Sequence, residues 1–191
     1  MGVARRARII RAAAEEFARG GFYNTPVTRI AELSGLTDAG LGHHFPTKEQ
    51  LLIAVVQWRH QESREWWSQY ARADTPEFLG AFAGAAERDL SQPGLIELFV
   101  TLAAEAARPA HPAHDLFAQR YAETLAGVAL GLRLGVERGR LRPGLDVDQL
   151  AAELIAVSDG LQLQWMLSGR TTDLVGGIRA YTDRLAAGIL N

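Results

Sequence analysis

Apolar side chains recur every three to four residues along nearly the whole chain and nowhere alternate one in two, which predicts helices and no strand. Residues 4–19 carry Ile10, Ala13, Ala14 and Phe17 on one stripe, and Gly20-Gly21 is the expected stop of that first helix. Between Pro26 and Leu52 the pattern shortens into three pieces. Thr25 is the expected cap of the first piece, with Pro26 at its first helical position, where the missing N–H costs nothing. Ile30, Ala31 and Leu33 give it a small apolar face. Ser34-Gly35 ends it, because glycine takes the left-handed cap conformation without a Cβ penalty. Thr37 opens the second piece, TDAGLGHHF, Pro46 breaks it, and Thr47 with Gln50 forms a capping box for the third.

The third piece grows into a long helix, carrying Leu51, Leu52, Val55, Val56, Trp58, Trp66 and Tyr70 to about residue 72. Asp74-Thr75-Pro76 restarts the pattern with Phe78, Leu79, Phe82 and Leu90 on one side. Gln92-Pro93-Gly94 is an expected turn, followed by a stripe of Leu95, Leu98, Phe99 and Leu102 that ends near Arg108-Pro109. The loop 109–114 leads into a long helix from about 115 to 138, closed by Gly139 and Pro143-Gly144, and two last helices cover 146–167 and 172–190. The chain is therefore expected to be all-α with about nine helices: a three-helix head at 1–47 joined to a helical bundle at 48–191. That boundary falls inside a continuous helix, which makes it a mechanical connection and not a flexible linker.

Two short helices joined by a tight turn containing glycine describe a helix-turn-helix, whose second helix is the one laid into a DNA major groove. The run GLTDAGLGHHFPTKEQLL, preceded by RARIIRAAAEEFARGGFYNTPVTRIAELSG, resembles the DNA-binding core of the TetR-type (tetracycline-repressor-like) transcriptional regulators. Ile10, Ala13, Phe17, Gly21, Phe22, Ile30, Ala31 and Gly35 stand in that family's usual places, and the resemblance is close over roughly the first 55 residues. It implies a homodimeric, ligand-responsive regulator, most often a repressor, that leaves a palindromic operator when a small molecule binds. Gly42 departs from the pattern, since the family usually has a Tyr there whose hydroxyl contacts phosphate.

The residues expected to meet DNA are Thr28, Thr37, Asp38, Ala39, Gly40, Leu41, His43, His44 and Lys48. Thr37 can both cap the second helix and reach a phosphate. Asp38 to Leu41 fill its first turn, where short side chains offer thymine-methyl contact and close backbone approach instead of bidentate pairing. In the resembling family the positions of His43, His44 and Lys48 touch the sugar-phosphate backbone. For Leu41 and His43 the competing reading is packing against the first helix, and Phe45 is read as packing outright.

Charge changes the picture only through its distribution. The net charge is −2, yet residues 1–48 carry seven basic against four acidic side chains, and residues 65–191 eleven against sixteen. A basic head on an acidic body fits a DNA-reading end attached to a part that avoids DNA. In the body, Trp58, Glu62, Trp66, Phe82, Phe99, Phe117, Tyr121, Gln162 and Trp165 are the candidates for an effector site, aromatic positions with two polar groups interrupting apolar faces. The competing reading of that set is plain core. His111 and His114 lack Cys or acidic company at ligand spacing, so neither a metal nor another cofactor is expected.

With no cysteine and no apolar run of membrane-spanning length, the expected location is the cytoplasm and the expected partners are double-stranded DNA, a small effector and a second copy of the chain. The rival class is a helical-bundle enzyme, for instance an oxygenase. The sequence has no nucleophile elbow, phosphate-cradling glycine loop or Glu-x-x-His pair to serve it.

Overall fold

A computed structural model describes residues 2–70, 73 and 75–191. The expected break at Asp74 and the expected helix end near residue 72 lie outside the described residues. Among the described residues nine helices follow in order: α1 (Gly2–Asn24), α2 (Val27–Leu33), α3 (Asp38–His44), α4 (Lys48–Ser68), α5 (Thr75–Leu90), α6 (Pro93–Ala106), α7 (His114–Glu137), α8 (Val147–Leu167) and α9 (Leu174–Ile189). Extended pairing among the described residues is limited to one antiparallel bridge between Leu141 and Leu190. No described helix is long and apolar enough to cross a membrane.

By packing, the chain forms two compact units, Met1–Arg64 with Gln92–Leu116, and Glu65–Ser91 with Phe117–Asn191. The first unit includes α4 as far as Arg64 and all of α6, so its bounds differ from the expected division at residue 47.

In the first unit Ile9, Ile10, Ala13, Ala14 and Phe17 of α1 are buried with Ile30 and Ala31 of α2 and Leu51, Leu52, Val55 and Val56 of α4. Spacings of three and four put these side chains on one face of each helix. The first helix runs further than expected, to Asn24, but is broken at Gly21 (φ 74°, ψ 162°), where only glycine takes the turn without strain. Thr25 does not cap α2. Pro26 occupies that position, and the buried Thr25 hydroxyl instead donates back to the carbonyls of Glu16 (3.0 Å) and Gly21 (2.8 Å). It satisfies the free carbonyls at the end of α1, a need that the sequence pattern does not display.

The expected turn at Gln92-Pro93-Gly94 is the start of α6, with Gln92 as N-cap and Pro93 in the first turn. Gly94 is there because α6 presses onto α1: a Cβ on it would lie 1.8 Å from the carbonyl oxygen of Ala18.

In the second unit Phe78, Leu79, Phe82, Ala83 and Ala86 of α5 are buried, as are Val128, Ala129 and Leu132 of α7, Leu154 and Trp165 of α8, and Leu174, Ile178 and Ile189 of α9. Asp146 and Asp173 cap α8 and α9, accepting from the Gln149 and Gly176 amides at 3.0 and 2.8 Å. The C-terminus clasps the α7–α8 connection: the Asn191 amide donates to the carbonyls of Gly139 and Leu141 at 2.8 and 3.1 Å.

Candidate nucleic-acid interface

The turn between α2 and α3 is a Schellman cap. Gly35 has φ 66°, its amide donates to the Glu32 carbonyl, and the Leu36 amide donates to the Ala31 carbonyl, both at 2.9 Å. One residue later Thr37 caps α3, its Oγ1 accepting from the Gly40 amide at 3.1 Å. A Cβ at Gly40 would stand 3.3 Å from Thr37 Oγ1, close enough that the capping hydroxyl would have to give by a few tenths of an ångström, and at ordinary contact, 3.7 Å, from Leu36.

The α3 surface then divides cleanly. Thr37, Asp38, Ala39 and His43 are exposed and Gly40 and His44 half-buried, while Leu41 is 2% exposed and Phe45 is buried behind it. Leu41 therefore packs, and it leaves the set whose side chains can face a base. Thr28 is exposed on α2. At Gly42 a Cβ would meet nothing within 4 Å, so the position is open.

Lys48, the first residue of α4, is half-buried and held by the chain before α2. Its Nζ donates to the Tyr23 carbonyl at 3.2 Å and sits 4.8 Å from the centre of the Phe22 ring. Partial burial lowers its pKa from the usual 10.5, against the upward pull of Glu49. The Thr47 half of the capping box is formed, Thr47 Oγ1 accepting from the Gln50 amide at 3.2 Å.

Part of the head's positive charge is paired with carboxylates at the surface. Glu16 pairs with Arg19 and, at 3.9 Å, with Arg29, which also reaches Glu32 at 3.3 Å. Arg5, Arg6, Arg8 and Arg11 are exposed on α1, with the Arg6 guanidinium 4.8 Å from the centre of the Phe45 ring at the end of α3.

The nine effector candidates fall in both units. In the first, Trp58, Glu62 and Phe99 are half-buried, and Glu62 pairs with Arg59 at 3.7 Å. In the second, Phe82 and Phe117 are buried, as is Trp165, while Trp66, Tyr121 and Gln162 are half-buried. Trp67 joins Trp66 to Phe82 through edge-on contacts of 5.1 and 4.9 Å. Arg88 lies 5.1 Å over the Trp66 ring.

The polar focus of the second unit is the pair Tyr121–Asp159. The Tyr121 hydroxyl donates to Asp159 Oδ2 at 2.7 Å, from α7 to α8. Burial raises the Asp159 pKa, with the Tyr121 hydrogen bond and the Arg120 charge pulling it partly back. Burial and the neighbouring carboxylate push the Tyr121 hydroxyl up to about 12. Asp159 was missed, although an acidic residue three before Gln162 was the available signal. Among the described residues no group of three His, Cys, Asp or Glu side chains could hold a metal ion.

The sequence model of the bacterial regulatory proteins of the tetR family matches residues 9–55, and that of the C-terminal part of BetI-type transcriptional repressors matches residues 79–190. The HTH-type transcriptional regulator TtgR of Pseudomonas putida is 28% identical over 193 residues, spanning 93% of this chain and 88% of the relative. A TetR transcription regulator from Haloarcula marismortui has the same fold, with a TM-score of 0.85 at 17% identity over 99% of this chain and 100% of the other. So does a protein from Saccharomonospora viridis in complex with choline, with a TM-score of 0.82 at 24% identity over the whole of both chains.

Proposed function

The chain belongs to the tetR family of bacterial regulatory proteins, and from that premise we propose how this ligand-responsive DNA-binding transcriptional regulator, which is not an enzyme, reads DNA and lets it go. Residues 1–47 are the DNA-binding part and 48–191 the effector and dimerisation part. Two copies of α3 enter successive major grooves of a palindromic operator in the cytoplasm. Asp38, Ala39 and Gly40 approach base edges, while Thr28, Thr37, His43, His44 and Lys48 contact the backbone. The observation that carries this reading is the outward face of α3, a capped turn of small exposed residues backed by buried Leu41.

Dimerisation uses α8 and α9. Leu163 and Leu167 are 46% and 80% exposed on α8, and Tyr181 and Leu185 are half-buried on α9, beside the buried stripe of Leu174, Ile178 and Thr182. A second copy would cover these side chains. The effector binds in the second unit with Tyr121, Asp159 and Gln162 as its polar anchors and aromatic side chains as its walls. A protein of the same fold that holds choline supports a small organic molecule as the class of ligand.

Release follows from population shift. The effector favours a body conformation in which α4 holds the two heads at the wrong separation for the operator. Taking the operator-competent state from nearly full to nearly empty needs about a 10⁴-fold preference of the effector for the other state.

The test begins with a duplex selected from a random pool by the dimer and a gel shift on it. Small molecules that co-purify are identified by mass spectrometry and added back. Expected are retention of the selected duplex, its release by the added molecule, and loss of that release in Asp159→Asn with DNA binding intact. A folded protein that retains no duplex at any salt concentration would sink the reading.

A further inference from the structure

Tyr23 is 75% exposed, the most open aromatic side chain of the described residues, and it stands on the DNA-reading part. An aromatic ring left in water gains nothing for folding, yet this one is seated with care. Gly21 (φ 74°, ψ 162°) turns the chain out of α1 just before it. The Thr25 hydroxyl holds the Gly21 carbonyl at 2.8 Å, and Lys48 Nζ holds the carbonyl of Tyr23 itself at 3.2 Å. Phe22 serves as the common seat, its ring 4.8 Å from Lys48 Nζ and 5.2 Å, edge-on, from the Tyr23 ring. The segment is thus pinned on both sides of the tyrosine and tied to the base of α4, with the phenol free to project.

We infer that Tyr23 is a DNA-positioning residue that donates its hydroxyl to a backbone phosphate next to the one met by Lys48. This rests on the DNA-binding reading above and adds a residue that the helix-turn-helix pattern does not select. The chemistry suits the role: a phenol on a rigid ring donates to phosphate oxygen at little entropic cost, and it fixes register without reading sequence. It also differs from Lys48 in a measurable way. An ammonium that neutralises a phosphate releases a counterion, whereas a hydroxyl displaces none.

The experiment measures affinity by fluorescence anisotropy for wild type, Tyr23→Phe, Tyr23→Ala and Lys48→Ala, on the selected duplex and a scrambled one, across a salt series. Circular dichroism checks that each variant is folded. Tyr23→Phe keeps the ring and removes only the oxygen. It is expected to weaken both duplexes alike, by about tenfold or more for one lost charged-partner hydrogen bond per protomer, with the salt slope unchanged. Tyr23→Ala should weaken binding at least as much, again at constant slope, while Lys48→Ala makes the slope shallower.

Wild-type affinity in Tyr23→Phe overturns the proposal. So does weakening confined to the selected duplex, which would make Tyr23 a base reader. A slope that flattens as in Lys48→Ala also overturns it, because the phenol would then act only by placing the lysine. If wild type binds neither duplex, the DNA-binding reading falls with it, and the two failures are told apart by that control alone.

Discussion

Gly94 and Ala18 meet backbone to backbone: the place where a Cβ of Gly94 would stand is 1.8 Å from the carbonyl oxygen of Ala18 and 2.4 Å from its carbonyl carbon. No rotamer change relieves such an overlap, because the obstacle is main chain, so any side chain at 94 must push α6 away from α1. Gly94→Ala is expected to destabilise the protein by about 3 kcal/mol, the upper range for overpacking, and to lower Tm by roughly 6–12 °C. Gly80→Ala is the control. It lies in α5 with nothing within 4 Å of its Cβ position, so only helix propensity changes, worth about 1 kcal/mol in favour of Ala. Equal melting curves for the two variants would show that α6 does not press on α1 as described.

The pair Tyr121–Asp159 makes stability fall at high pH. The Tyr121 pKa is raised from 10.0 to about 12, so the folded state keeps a proton that the unfolded chain loses. Stability from this group is complete below pH 10 and is lost as pH rises from there to about 12. The hydroxyl is partly open to water, and with solvent screening the loss is about 1 kcal/mol, some 2–4 °C in Tm. Tyr121→Phe should remove that share of the alkaline fall. Asp159 titrates with the same sign, its raised pKa making stability decline as pH rises from the ordinary Asp value of 3.8 through the raised one. Asp159→Asn should flatten that acid-side decline in a pH series of thermal melts. An unchanged profile would mean that burial does not hold these protons.

How much of this was legible in the sequence follows from the range of the forces involved. The caps at Thr37 and Thr47 and the left-handed Gly35 are local, made within three residues, and all three are where the sequence puts them. Thr25 and Gly94 were misread because their partners are distant: Thr25 bonds to Glu16, nine residues away, and Gly94 meets Ala18 across two helices. By local rules alone a Thr before Pro is a cap and a Pro-Gly is a turn. Asp159 escaped for a similar reason. Its meaning comes from Tyr121, thirty-eight residues earlier, and no periodicity links the two.

If α8 and α9 pair between copies, a charge placed on that face must separate them. Leu185 is half-buried on α9, four residues from Tyr181 on the same side, and is not among the buried residues of its own helix. Leu185→Asp is therefore expected to leave the fold intact and to convert a dimer into a monomer in light scattering, since the interface would bury an unpartnered carboxylate. A folded variant that stays dimeric moves the interface elsewhere.

Lys48 gives the most quantitative test of the head. Each phosphate neutralised contributes about −0.9 to the slope of log affinity against log salt, and a dimer presents Lys48 twice. Lys48→Ala should therefore make the slope shallower by about 2. The loss should be alike on selected and scrambled DNA, because a phosphate contact carries no base information. Its bond to the Tyr23 carbonyl at 3.2 Å leaves two of the three ammonium donors for phosphate, so the tie to the chain and the contact to DNA are compatible. Gly42→Tyr works in the other direction. The site is open, with nothing within 4 Å of a Cβ, so the added phenol can project and tighten both duplexes at unchanged slope. Leaving glycine for a better helix former should also firm α3, whose seven residues include Gly40 and Gly42. An unchanged salt slope in a folded, dimeric Lys48→Ala would falsify the phosphate role of that lysine, while the exposed first turn of α3 would remain the candidate reading surface.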